Sequence, residues 1–333
     1  MPNKDLLTLG IDLGGTKILT SVMNPKGDML SRDHSITPAA EGPDGVIQAI
    51  VASAERALQG SSVATDRVSA VGIGAPGLAD TEAGLLFTSP NLPGWKDVPL
   101  RDIIQEKLKK KAFLINDGNA AALGEHYFGA ARGVNHFIYI TISTGIGGGI
   151  VVDGKVLRGF KGMAGEIGHM TITDEGPLCH CGNRGCWEAL ASGTALAKAA
   201  RKRIETGADT TILSFAEGKI DEVTAQTVQS AAENGDPIAN QLILKVAYYF
   251  GVGVANLINI FNPEMIVIGG GLSNMGERLF KPAHRVVEER AFNRAYRTVR
   301  FVKAALGRNS GVLGAAAFAM DEMKIKELHG IAK

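Results

Sequence analysis

Cysteine is scarce: the 333-residue chain has three, an odd number, all between Cys179 and Cys186. So few argue against a disulfide framework, and their crowding into one short loop points to a local metal site. Long apolar runs are missing. No stretch of about 18 residues is apolar without polar interruption, so no transmembrane helix is expected. The opening MPNKDLLTLG has the marks of neither a signal nor a transit peptide, and a cytoplasmic location is the expectation. An excess of one charge is missing too: 35 Lys and Arg against 34 Asp and Glu leave a formal charge of +1, with no long run of either sign. This argues against a nucleic-acid partner gripped mainly through its phosphates, and neither a nucleic acid nor a membrane is expected as partner. A small anion held by backbone amides stays possible on these grounds.

What is present is enough for a sizeable core, with 45% hydrophobic and 21% charged residues, and the length suits two domains. Glycine stands out at 42 residues, above the usual ~7%. It clusters in GGTK, GIGAPG, STGIGGG, GMAGEIG and IGGGL. Such density marks backbone that turns tightly or approaches a ligand.

Leu7, Leu9, Ile11 and Leu13 alternate as in a strand, Asp12 to Thr16 turn the chain, and Ile18–Val22 read as a second strand. A dinucleotide or P-loop site would need a helix after its glycines, and none is signalled. The same grammar returns later. Phe137–Ile142 read as a strand, Thr144–Gly149 as the turn and Ile150–Val152 as the next strand, closed by Asp153-Gly154, a hairpin signal. Two copies of one hairpin predict an internal duplication, and two glycine turns facing each other could hold one chain of phosphates. Helical spacing is predicted over Ile47–Leu58, Asn119–Tyr127, Val246–Ile260 and Ser310–Met323, with strands at Val68–Gly74, Ala112–Ile115 and Met265–Ile268. The alternation gives an α/β protein of two similar layered domains, expected at 1–117 plus 309–333 and at 118–308.

Four constellations carry chemistry. In Asp12-Leu13-Gly14-Gly15-Thr16-Lys17, bare amides can cradle an anion and the strand-end carboxylate can hold Mg²⁺ through water. Asn116-Asp117 stands where an apolar strand meets a helix; a carboxylate there can take the proton of an attacking hydroxyl, or the pair can simply cap the helix. Glu166-Ile167-Gly168-His169 precedes CHCGNRGCWE at 179–188, so three thiols and an imidazole supply the ligand set of a closed, structural Zn²⁺ site. His180 competes for the imidazole position, though its place between Cys179 and Cys181 makes simultaneous ligation strained. Gly269-Gly270-Gly271 follow a strand and could approach a base or ribose, or form a tight turn.

With LGIDLGGTK at 9–17, SPNLPGW at 89–95, NDGNAAALGE at 116–125, EIGH at 166–169 and CHCGNRGCWE at 179–188, the chain resembles the ROK family of repressors, open reading frames and kinases, and within it the bacterial glucokinases. The resemblance covers essentially the whole chain. It implies the actin-like ATPase (ribonuclease H-like) fold, two α/β domains around a cleft, and ATP-dependent phosphorylation of a hexose, with glucose leading. By this resemblance Asp117 is the general base, Asn91, Asn116, Glu166, His169 and Glu188 hold sugar hydroxyls, and the loop ending at Gly77 lines the pocket. Gly14, Gly15, Thr16, Thr144 and Gly145 would face the phosphates, Gly269–Gly271 the adenosine, and His169, Cys179, Cys181 and Cys186 the zinc. A homodimer or homotetramer is implied as well. The family more often has alanine where this chain has Gly118. Its N-acetylhexosamine kinases and fructokinases are the nearest alternatives. Its sugar-responsive transcriptional regulators are disfavoured because a first strand beginning by about Leu6 leaves no room for a helix-turn-helix.

Overall fold

A computed structural model describes residues 7–89 and 91–328, the side chains of 325–328 excepted. The expected strand start at Leu6 and Pro90 of the SPNLPGW segment lie outside the described residues. In chain order come β1 (Leu7–Leu13), β2 (Lys17–Met23), β3 (Asp33–Ile36), α1 (Gly42–Gly60), β4 (Val68–Ala75), β5 (Leu78–Asp80), β6 (Leu85–Thr88), α2 (Leu100–Leu108), β7 (Lys111–Asn116) and α3 (Asp117–Phe128). They are followed by β8 (Phe137–Ile142), β9 (Ile146–Val152), β10 (Lys155–Val156), α4 (Trp187–Ala191), α5 (Gly193–Glu205), α6 (Ala225–Glu233) and α7 (Pro237–Phe261). The chain ends with β11 (Met265–Gly269), α8 (Glu277–Arg290), α9 (Asn293–Tyr296), β12 (Arg300–Lys303) and α10 (Ser310–Leu328).

The duplication predicted from the two glycine hairpins is visible in the sheets. One has the order β3-β2-β1-β4-β7 and the other β10-β9-β8-β11-β12, the same order of first, second and third strands followed by two later ones. In the first sheet β1 pairs antiparallel with β2 and parallel with β4, which pairs parallel with β7. Parallel strands covered on both faces read as continuous apolar runs. β1 is accordingly buried at every position except Asp12.

The chain divides into two compact units. The first holds the described residues up to Tyr139, Gly149–Gly165 and the chain from Ala304 on; the second holds Ile140–Gly148 and Glu166–Lys303. In the first unit α10 lies directly on the sheet and on α3. A side chain at Gly10 would collide with the Val312 carbonyl, one at Gly72 with the Ala315 carbonyl, and one at Gly124 with the Ser310 carbonyl. Glycine in a strand commonly marks such backbone approach. In the second unit the core is α7, whose fully buried neighbour Trp187 stacks on Phe250 at 5.5 Å and donates from Nε1 to the Tyr249 carbonyl at 2.9 Å. By length and composition α7 could cross a membrane, but 56% of its most apolar window is buried inside the protein.

One boundary differs from the sequence reading. Gly147, Gly148 and Gly149 belong to strand β9 rather than to the turn, which shrinks to residues 143–145. The cause is packing: a Cβ at Gly149 would stand 2.6 Å from Ala122 Cβ and 2.8 Å from the Gly118 carbonyl, so this strand is glycine-rich because α3 lies on it. Asp153 and Gly154, at φ 52° and 72°, do form the predicted hairpin turn into β10.

Candidate active site

In the first unit the site begins where β1 ends. Asp12 closes that strand, and the following turn is held by Gly14 N–H donating to the Lys17 carbonyl at 2.8 Å and by the Thr37 hydroxyl donating to the Gly14 carbonyl at 2.7 Å. Thr16 and Lys17 are exposed. Gly15 faces Asn91 and has no room for a side chain, since a Cβ there would stand 2.5 Å from Asn91 Cβ. Gly77 sits at φ 98° over Thr88 and Ser89, so it shapes the loop through backbone conformation and close packing.

Of the two, Asn116 takes the capping role. Asn116 is the N-cap of α3, its side-chain oxygen accepting from Asn119 N–H at 3.1 Å. Asp117 is the first helical residue, and its Oδ1 accepts from Gly118 N–H at 2.8 Å. Burial pushes the Asp117 carboxyl up to about 6 from 3.8. Asp12 is pushed further, to about 7, by burial and then by the Asp117 charge. The Asp12 carboxylate is seated over Gly311 in the first turn of α10, where a Cβ would come within 2.6 Å of Oδ2.

Both carboxyls hold protons in the folded chain that they would release on unfolding. Between about pH 4 and pH 7 the folded state therefore binds more protons, and these two groups make stability fall as pH rises. The melting temperature of the ligand-free protein should drop between about pH 5 and pH 7.5, and Asp12→Asn should flatten part of that drop. An equal slope in wild type and variant would contradict the assignment.

The second unit gathers three segments. The β8–β9 turn is pinned by Gly193 N–H donating to the Ser143 carbonyl at 2.7 Å and Thr194 N–H to the Thr144 carbonyl at 3.2 Å. Beside it runs the Gly269–Gly271 turn: Gly270, at φ 90°, lies on the Ile142 carbonyl, and a Cβ at Gly271 would be 3.6 Å from Ser143 Oγ. Glu188 reaches the same turn, its Oε2 accepting from Ile146 N–H at 2.8 Å across the bare face of Gly145. Its Oε1 is 3.2 Å from His180 Nδ1. His180 thus partners Glu188, a role not foreseen in the sequence, where it figured only as a competing ligand. Gly311 was also missed; only its place at the head of an alanine-rich helix hinted at close packing.

The cysteine loop is a knuckle held by its own backbone. Cys179 N–H donates to the Asn183 carbonyl at 2.8 Å, Gly182 N–H to the Cys179 carbonyl at 3.0 Å, and Gly182 and Gly185 take φ 93° and 66°. His169, Cys179, Cys181 and Cys186 present ligand atoms all within 4.8 Å of one another. Cys181 Sγ to Cys186 Sγ is 3.7 Å, as is Cys179 Sγ to His169 Nδ1. A tetrahedral site with Zn–S bonds of ~2.3 Å has edges of about 3.8 Å, so the donor set and its spacing fit zinc. Burial holds the His169 imidazole below its ordinary range, toward the neutral form a metal needs. Burial, then the neighbouring Cys181 and Cys179 thiols, push Cys186 up to about 12 in the metal-free cluster. Glu166, the first residue of the EIGH motif, is exposed at the head of the short helix Ile167–His169.

Comparison with known proteins places this geometry. The ROK family model matches residues 8–322. The chain is 37% identical over 307 residues to a glucokinase of Halalkalibacterium halodurans, covering 92% of each chain. It is 34% identical over 322 residues to a xylose repressor of Caldicellulosiruptor bescii, covering 96% of this chain and 80% of the repressor. A crystal structure of a ROK family glucokinase from Streptomyces griseus in complex with glucose and AMPPNP superposes with a TM-score of 0.81 at 36% identity, covering 95% of this chain and 99% of that one. The architecture is the α/β actin-like ATPase fold. On motif, fold and similarity along almost its whole length, the chain belongs to the ROK family.

Proposed function

We propose that this protein phosphorylates a hexose with ATP, glucose to glucose 6-phosphate above all, with Asp117 as general base. The observation that carries the reading is the Asp117 carboxylate, held at the first turn of α3 with its affinity for protons raised to about 6. A base with that affinity is ionised near neutral pH and still accepts a proton readily. In phosphoryl transfer the transition state is loose, so the base chiefly orients the attacking hydroxyl and takes its proton late. The similarity to glucokinases, one of them complexed with glucose and AMPPNP, supports the choice of substrates.

In the first unit Asn91 and Asn116 offer amides to sugar hydroxyls, and the Gly14–Thr16 turn offers its backbone to phosphate oxygens, with Lys17 beside it. In the second, Glu166, His169 and Glu188 bind hydroxyls, Thr144 and Gly145 meet phosphate, and Gly269–Gly271 carry the nucleoside. Mg²⁺ suits Asp12, a carboxylate beside a second carboxylate and in want of a cation. When bound, the ion would neutralise charge on the transferring phosphates. Zinc would be held by His169, Cys179, Cys181 and Cys186 in a closed site, leaving His169 Nε2 free to face the sugar.

Gly145→Ala should drive the Glu188 carboxylate off the β8–β9 turn and raise the KM for sugar by about tenfold or more, the scale of one charged hydrogen bond. An unchanged KM would remove Glu188 from sugar binding in this geometry. The function itself is tested by ADP release with ATP and Mg²⁺ across glucose, mannose, fructose, N-acetylglucosamine and 6-deoxyglucose. Glucose should give the highest kcat/KM and 6-deoxyglucose none; a preference for an N-acetylated sugar would move the substrate. The similarity to a xylose repressor raises a second reading, a sugar-responsive regulator, which specific retention of DNA in a mobility-shift assay would favour.

A further inference from the structure

Glu125 ends the NDGNAAALGE segment, about two turns along the helix that begins with Asp117, and nothing above assigns it a role. It is fully buried, at 0% exposure, and among the described residues no cation pairs with it. Its Oε1 accepts from Leu306 N–H at 2.9 Å and from the Ser310 hydroxyl at 3.0 Å. Its Oε2 accepts from Ala130 N–H at 2.8 Å and Ala305 N–H at 3.0 Å. A carboxylate buried this way is costly to desolvate, and its bonds offset that cost; an apolar side chain in its place would strand three backbone N–H groups. What the carboxylate adds is geometry: four directed bonds, three of them to the segment 305–310 that leads into α10.

That segment has a consequence for the site. Ser310 packs on the bare backbone of Gly124, and the next residue, Gly311, is the seat of the Asp12 carboxylate. The helix carrying Asp117 and the helix end backing Asp12 are therefore fastened to each other through one side chain. We propose that Glu125 is a positioning residue for phosphoryl transfer: it locks the start of α10 to α3 and so sets where Asp12 stands relative to Asp117. This rests on the kinase reading given above. Glu125 touches neither substrate nor metal, and its effect passes through Ser310 and Gly311.

The test compares Glu125→Gln, Glu125→Asp and Ser310→Ala with Asp236→Asn. Asp236 is a second buried carboxylate, which caps α7 in the other unit through Ala239 N–H, Thr210 and Thr211 and so reports loss of stability alone. Glu125→Gln turns amide hydrogens toward backbone donors. It should lower kcat about 10- to 100-fold, as misplacement by about 1 Å does, and raise the Mg²⁺ concentration for half-maximal rate. Glucose affinity by calorimetry should stay within about twofold, because the sugar ligands are untouched. Ser310→Ala should shift kcat and Mg²⁺ dependence in the same direction by about threefold, Glu125→Asp should recover part of the loss, and Asp236→Asn should lower the melting temperature with kcat within about twofold of wild type. The proposal is overturned if folded Glu125→Gln keeps wild-type kcat and Mg²⁺ dependence, or if Asp236→Asn loses as much kcat at equal loss of melting temperature. Should Glu125→Gln not fold, Ser310→Ala decides alone, and wild-type behaviour there overturns the role. The unmodified chain is assayed first. Absence of sugar-dependent ADP release there counts against the kinase reading; the role of Glu125 is then read from calorimetry of Mg²⁺-AMPPNP, which Glu125→Gln should bind at least about tenfold more weakly.

Discussion

Asp117→Ala should lower kcat by about two to four orders of magnitude, the usual weight of a general base, while glucose binding stays measurable. The carboxylate occupies the N1 position of α3, with Asn116 supplying the cap, so the helix keeps its cap when the acid is removed. The loss should therefore appear in turnover and not in folding. The wild-type rate should also fall on the acid side of about pH 6, because a protonated Asp117 cannot accept the hydroxyl proton. Asp117→Asn, which keeps the shape, should abolish that acid limb along with the rate. Turnover close to wild type in either variant would remove Asp117 from the base role.

Cys181→Ser should lower zinc content and sugar affinity together. The loop's three cysteines and His169 stand at spacings suited to a cation, and without one Cys181 and Cys186 are left facing each other at 3.7 Å. Structural zinc supplies folding energy outright, and residues that orient metal-bound groups commonly weigh 10- to 100-fold in affinity. The expected result is metal content well below one zinc per chain and a glucose Kd raised by about tenfold or more. Trp187, fully buried on Phe250, should keep the rest of the second unit folded, so that the loss is local to His169 and Glu188. A zinc-free variant with normal affinity would break the coupling between metal and sugar.

Much of this was legible in the chain because it depends on local pattern. The strand from Leu7 to Leu13, the Asp153-Gly154 hairpin and the helix over Val246–Ile260 all formed as read, although Ile260 of its apolar face is exposed, since strand, turn and helix periods are written in neighbouring residues. The clustering of His169 with the cysteines was nearly as plain, three cysteines being confined to eight positions. What could not be read depends on backbones meeting from far apart. Gly149 looked like a turn residue because nothing nearby records that α3 packs on its strand. The bond from Ile146 N–H to Glu188 joins residues 42 positions apart, and that from Ser310 to Glu125 spans 185. Glu188 stood out in the sequence as a candidate ligand of sugar, but its bond to Ile146, like that of Glu125 to Ser310, comes only from tertiary packing.

The most direct measurement of the central claim is identification of the product. Incubation with glucose, ATP and Mg²⁺, followed by phosphorus and carbon magnetic resonance, should yield one glucose 6-phosphate for each ADP. A phosphate on another carbon, or ADP formed with no sugar phosphate, would contradict the account.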